Sequence, residues 1–270
     1  MLESLLKFKE VEKSPYLTFV WALMITTIGI LFSTQLSYRI QVSGGGVANL
    51  TGLFAVIFTI VPSVYFLTTV IKKEEEREEE AILKHYKQNF WQKHQNDILM
   101  FLFYFLGVTF AFAIWAFVLP TEFFQVQLSK IYEIRSAVTG AAIAKGSFSS
   151  FMMILTNNLQ VMMFAFIFSL LFGAGAVFII VWNASVLGVY IGELSKSIIE
   201  IPVVSLSFLP HGIPEVMGYL CAGLAGGLMS AAILRCRCTK VLELIIWDGL
   251  KILILGLLLL LLAAGIEVYV

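Results

Sequence analysis

The chain is dominated by a series of apolar stretches, each close to the roughly 20 residues that a helix needs to cross a hydrocarbon core of about 30 Å. They run from Tyr16 to Leu36, Val47 to Ile71, Ile98 to Leu119, Phe151 to Trp182, Ala184 to Ile201, His211 to Leu234 and Leu242 to Ala264. In lipid every backbone N–H and C=O must be satisfied internally, so only helices and closed barrels can span. These stretches do not alternate apolar and polar residues as barrel strands do. The expected fold is therefore all-α: a polytopic helical membrane protein with about seven transmembrane helices. The fifth stretch is short and holds Glu193 and Lys196, so a re-entrant or tilted element is the alternative there.

Composition agrees with this reading. Charged residues make up 13% of the 270-residue chain, against about 25% in an average soluble domain, and 59% is hydrophobic. Eighteen Lys and Arg balance eighteen Asp and Glu, which gives no basic surface for nucleic acid. Three cysteines, two of them in Arg235-Cys236-Arg237-Cys238, do not make a disulfide framework. The residues before the first span are rich in Lys and Glu and no small-residue cleavage site follows it, so that span is expected to stay in the protein.

Cytoplasmic loops collect Lys and Arg. With seven spans and the N-terminus inside, the inner segments carry twelve such residues and the outer ones five. The expected location is a cell membrane, multi-pass, with the N-terminus cytoplasmic and the C-terminus exterior. Residues 1–97 then form two transmembrane helices and a charged cytoplasmic helical hairpin around Lys72 to Gln95, where Glu80 and Lys84 are spaced for an i,i+4 pair. Residues 98–270 form a five-helix core. Between its first two spans, Phe123, Phe124, Leu128, Ile131, Tyr132 and Ile134 fall near helical spacing, which predicts an amphipathic exterior helix in the stretch from Pro120 to Ser150.

Polar groups within lipid are costly and each needs a partner or a task. Asn157 and Asn158 mark the outer end of the fourth span, and His211 and Glu215 share a helix face at the outer start of the sixth, where Pro210 and Pro214 suit a helix beginning. Lys196, with Glu200, could join them. Asn183 falls at the inner ends of the fourth and fifth spans, and Asp248 and Lys251 at the inner end of the last. The expected outer cluster is Asn157, Asn158, Lys196, His211 and Glu215, read as a structural knot or as a ligand or ion site. Small-residue ridges at Ala184, Gly188 and Gly192, and at Gly218, Ala222, Gly226 and Ser230, predict close helix packing, with a dimer seam as the alternative.

Catalysis finds little support in the sequence. No HExxH or CxxC motif or second nearby histidine completes a metal site around His211, no serine sits in a GxSG motif, and Asp97 and Asp248 are the only aspartates. No metal, no cofactor and no enzymatic activity are expected.

Asn157-Asn158-Leu159, then Phe164, Gly173, Gly175 and Asn183, then Leu209-Pro210-His211-Gly212-Ile213-Pro214-Glu215, and finally Ala222-Gly223-Leu224-Ala225-Gly226-Gly227 resemble, in order, the stage II sporulation protein M family of integral membrane proteins. The resemblance covers roughly Ile98 to Ala264 and leaves the first two spans as an addition. It implies a five-span core with a longer exterior loop after the first core span. In spore formers the named protein is associated with a membrane-anchored complex whose other members degrade septal peptidoglycan. Family members also occur in organisms that never sporulate, so that role does not transfer. The function expected here is a membrane scaffold or assembly protein that engages membrane lipids and membrane-protein partners or a second copy. The alternative is a transporter or channel-like protein using the polar residues of helices four to seven.

Overall fold

A computed structural model describes residues 14–36, 39–42, 46–65, 90–140, 147–172, 175–235 and 239–269. Its helices are α1 (Pro15–Leu36), α2 (Thr51–Tyr65), α3 (Phe90–Val118), α4 (Gln125–Gly140), α5 (Phe148–Phe172), α6 (Ala176–Leu194), α7 (Glu200–Arg235) and α8 (Thr239–Tyr269). An antiparallel hairpin, β1 (Arg39–Val42) with β2 (Gly46–Asn49), lies between α1 and α2, and a 3₁₀ turn, Thr121–Phe124, precedes α4. Among the described residues six helices are long and apolar enough to cross a membrane, and α2 is a shorter apolar helix. Of the charged hairpin read at residues 72–95, residues 72–89 lie outside the described residues, as does the end of the second span, and the hairpin's last residues from Phe90 open α3.

Several boundaries differ from those read in the sequence. The apolar run from Phe151 to Trp182 is two helices: α5 ends at Phe172 and α6 begins at Ala176, with Gly175 in a turn just before it. A Cβ on Gly175 would meet the side chain of Phe168 at 2.9 Å and collide with its carbonyl, so only glycine fits at this turn. The fifth span is accordingly α6, not Ala184 to Ile201. Asn183 then lies inside α6, not at the junction of two spans.

The sixth helix differs as well. Pro210 and Pro214 do not begin it: they sit inside α7, which starts at Glu200 and has 36 residues. Pro202, in the first turn, occupies the place where a missing N–H costs nothing. The two later prolines remove the amide donors that the carbonyls of Leu206 and Pro210 would otherwise receive. At 1.5 Å per residue, the 34 residues from Glu200 to Ile233 extend about 51 Å, well beyond a hydrocarbon core of about 30 Å. The hairpin corrects the second span, whose first residues from Val47 pair with β1 instead of entering the helix.

The chain divides into two compact units. In the first, comprising residues 1–62, 103–144 and 181–209, α1 packs on α3 where a Cβ at Gly107 would lie 2.8 Å from that of Ala22, with Tyr16 edge-on to Phe103 and Phe19 edge-on to Phe110. Trp115 Nε1–H donates to Thr27 Oγ1 across the same seam at 3.3 Å. Helix α6 lies on α3 through Gly188, beside Phe112, and Gly192, beside Ala113 and Ala116. Ala113, Ile191 and Ile201 close a small core there.

The segment from Thr121 to Tyr132 is anchored by amides as much as by apolar residues. Phe124 and Ile131 are buried, Phe123 and Leu128 half-buried and Tyr132 exposed. Gln127, fully buried, donates from Nε2 to the Gly52 carbonyl at 3.0 Å, and the Asn49 amide donates to Gln125 Oε1 at 2.9 Å. These bonds fasten α4 to β2 and to the first turn of α2, which Asn49 caps by accepting from the Thr51 amide at 2.9 Å.

Candidate functional site

The second unit, residues 63–102, 145–180 and 210–270, is built from α5, the later part of α7, α8 and the first turns of α3. Its core is Ile98, Cys221, Leu224, Ala225, Leu228, Ala232, Ile245 and Ile252. Glycines set the helix spacing. A Cβ at Gly218 would lie 2.8 Å from a Leu260 methyl, and one at Gly256 would lie 3.0 Å from the Cβ of Cys221 and 3.2 Å from Met162. One at Gly226 would lie 2.5 Å from the Phe166 carbonyl oxygen. Ser169 Oγ–H donates to the Gly223 carbonyl at 2.7 Å, joining α5 to α7.

These contacts fix direction. Leu260 pairs with Gly218 and Met229 with Gly249, so α7 and α8 are antiparallel. Met162 reaches the level of Gly218 and Cys221 through Gly256, whereas Ser169 reaches Gly223, so α5 runs parallel to α7. The two small-residue ridges therefore serve different seams: Gly188 and Gly192 face α3 in the first unit, Gly218 faces α8 and Gly226 faces α5 in the second.

At the N-terminal side of this packing is a polar cluster. His211, Glu215 and Tyr219 recur every four residues and share one face of α7. Tyr219 is buried and its hydroxyl donates to Glu215 Oε1 at 2.6 Å. Glu267, two residues before the end of α8, lies within electrostatic reach of His211, Glu215 and Tyr219. Antiparallel packing puts it there, since Glu267 is seven residues beyond Leu260 and His211 seven before Gly218.

Neither Tyr219 nor Glu267 is among the residues singled out in the sequence. The signal for Tyr219 was the continued i,i+4 spacing. For Glu267 it was the topology itself, which places the end of the last span beside the start of the segment holding His211.

The remaining sequence-predicted residues divide. Asn158 is buried on α5 and accepts from Asn157 Nδ2 at 3.4 Å, while its own Nδ2 has no hydrogen-bond partner among the described residues; Asn157 is exposed. By helix rise Asn158 lies about 16 Å before Ser169 and Glu215 about 12 Å before Gly223, so the two fall within about one turn of the same level. Lys196 belongs to the first unit, exposed on the link between α6 and α7, where its backbone amide donates to Glu200 Oε2 at 2.9 Å. Asp248 and Lys251 form an ion pair at 2.6 Å along α8.

Chemically the cluster offers an imidazole, two carboxyl groups and a phenol at the membrane, a set able to exchange protons or to hold a cation. Among the described residues no three His, Cys, Asp or Glu side chains converge as a metal site.

Comparisons with known proteins bear on the same region. The family model described as stage II sporulation protein M matches residues 98–270. An uncharacterized protein of Methanocaldococcus jannaschii is 31% identical over 125 residues, which cover 45% of this chain and 70% of that relative. No solved structure matches.

Proposed function

Because the chain belongs to the stage II sporulation protein M family of integral membrane proteins, we propose that it is a multi-pass scaffold or assembly protein without catalytic activity of its own. The observation that carries this reading is the module formed by β1–β2 and α4. The Asn49–Gln125 bond joins its two parts, and the Gln127–Gly52 bond holds it to the first turn of α2. A surface fixed in this way meets a partner without first being ordered, which is how preorganisation raises affinity.

In this reading the N-terminus and residues 72–97 are cytoplasmic, and the hairpin, α4 and the C-terminus are exterior, in a cell membrane. Partners reach the protein there and along its lipid-facing helices, where Phe164, Leu171, Ile254 and Leu258 are exposed. They are other membrane proteins or a second copy, in a bed of membrane lipids.

A second reading, a transporter or channel-like protein, draws on one specific observation. Glu215 directly follows the second of the two prolines inside α7 and hydrogen-bonds Tyr219 one turn on, and proline-punctuated helices with intramembrane acids are common at carrier sites. Purification in lipid nanodiscs with quantitative mass spectrometry of co-eluting polypeptides separates the two. A scaffold recovers a discrete membrane polypeptide in near-stoichiometric amount. Recovery of lipids alone, with solute or ion flux in proteoliposomes that Glu215→Gln abolishes, would replace it with the carrier.

A further inference from the structure

The exterior module encloses a cleft of about 530 Å³ lined by Arg39, Asn49, Thr121, Glu122, Gln125, Leu128, Ser129 and Tyr132. Its floor holds a hydrogen-bond donor with nothing to donate to. Asn49 is 3% exposed; its Oδ1 is occupied by the Thr51 amide and by Thr51 Oγ1 at 2.6 Å, and its Nδ2 has no partner among the described residues. An unmade hydrogen bond from a buried amide is costly unless a ligand supplies the acceptor. Gln125 is engaged in the same sense: its Oε1 accepts from the Asn49 backbone, which leaves Nε2 as the donor end.

Charge completes the pattern. Arg39 and Glu122 stand at the cleft as a loose pair, 3.5 Å apart with side chains 61% and 73% exposed, so both can turn to a ligand. The donors Asn49, Gln125 and Arg39 match an oxyanion, and Glu122 matches a cation a few bonds away. The cleft also lies where the chain leaves the hydrocarbon. Arg39 is three residues past Leu36, Asn49 two before Thr51, and Thr121 three past Val118, each within about 10 Å of a helix end.

We propose that this cleft binds a zwitterionic aminophosphate headgroup of the phosphoethanolamine class, presented by a membrane lipid. Asn49, Gln125 and Arg39 hold the phosphate, Glu122 holds the ammonium, and Leu128 and Tyr132 flank the short carbon bridge. The proposal is independent of the scaffold reading, since a carrier could hold such a lipid equally well.

The test is native mass spectrometry of the full-length protein with added phosphatidylethanolamine, phosphatidylglycerol or phosphatidylcholine, and melting curves to confirm folding. Phosphatidylethanolamine is expected to bind about tenfold more tightly than the other two, a difference of about 1.4 kcal/mol. Arg39→Gln, at an exposed position, and Asn49→Asp, which keeps the oxygen that caps α2, should each weaken binding about tenfold with melting unchanged. Glu122→Gln should erase the preference over phosphatidylglycerol and leave phosphatidylglycerol binding intact.

Equal retention of the three lipids, or full binding by Arg39→Gln, would overturn the site. Soluble glycerophosphoethanolamine binding as tightly as the lipid would overturn the lipid source and leave a soluble ligand.

Discussion

Gly226→Ala adds one methyl group at the closest approach of α5 and α7. The new Cβ would lie 2.5 Å from the Phe166 carbonyl oxygen, 3.0 Å from the Leu170 amide nitrogen and 3.0 Å from the Ser169 Cβ. Optimal contact is about 3.5 Å, and the first two of these atoms are helix backbone that cannot rotate away, so the helices must part by roughly 1 Å. Overpacking of this kind costs about 1–3 kcal/mol. The Ser169–Gly223 hydrogen bond, 2.7 Å long and one turn away, is stretched by the same movement, and intramembrane bonds average about 0.6 kcal/mol.

The expected loss is about 2–3 kcal/mol, or a melting temperature lower by roughly 5–10 °C for a chain of this size. Gly212→Ala in the same helix and Gly265→Ala in α8 are the controls. Neither added methyl meets any atom within 4 Å, so these changes should be neutral or slightly stabilising, as expected when a helix exchanges glycine for alanine. Thermal melting in one mild detergent reads all three. Gly226→Ala melting at or above the unmodified protein would refute the placement of α5 on α7.

Tyr219→Phe removes the donor to Glu215 and should cost on the order of 0.6 kcal/mol by detergent melting, with Glu215→Ala non-additive to it in a double-mutant cycle. Additive losses would show that the two side chains do not interact. Gln127→Ala leaves the Gly52 carbonyl without its donor and a cavity beside Gly52, for about 1–3 kcal/mol; limited proteolysis should cut the 120–140 segment faster in this variant, and an unchanged cleavage rate would contradict its role as the latch. A cysteine replacing Glu76 should react with an impermeant maleimide only after the membrane is opened, as the Lys and Arg distribution predicts; labelling of intact cells would reverse the topology.

What could be read from the chain followed from the physical strength of each signal. Hydrophobic length reveals helices well, because lipid admits no other backbone, and α1, α3, α5, α6, α7 and α8 all carry that signature. It locates their ends poorly where two spans adjoin without a charged loop. The break between α5 and α6 is marked only by glycine, which apolar helices also use for packing, as Gly226 does. Proline misleads in the opposite direction: Pro210 and Pro214 read as a beginning, yet α7 continues through them, its Ser205 and Ser207 hydroxyls each donating to a backbone carbonyl in the turn before the first proline. The β1–β2 hairpin escaped because Val47 and Ala48 are as apolar as the helix that follows, although Ser43-Gly44-Gly45-Gly46 was a turn signal. At the polar cluster, the local pair His211 and Glu215 was visible from spacing, whereas Glu267 required the antiparallel pairing of α7 with α8, a tertiary fact.

The scaffold account is tested most directly by placing a photo-crosslinking amino acid at Phe164 on α5 and, separately, at Leu258 on α8, both exposed on apolar faces, and irradiating living cells that express the full-length protein. The account predicts a discrete polypeptide adduct of reproducible mass from at least one position, absent when the probe replaces the buried Leu228. Lipid adducts alone from both positions, together with Glu215-dependent flux in proteoliposomes, would contradict it.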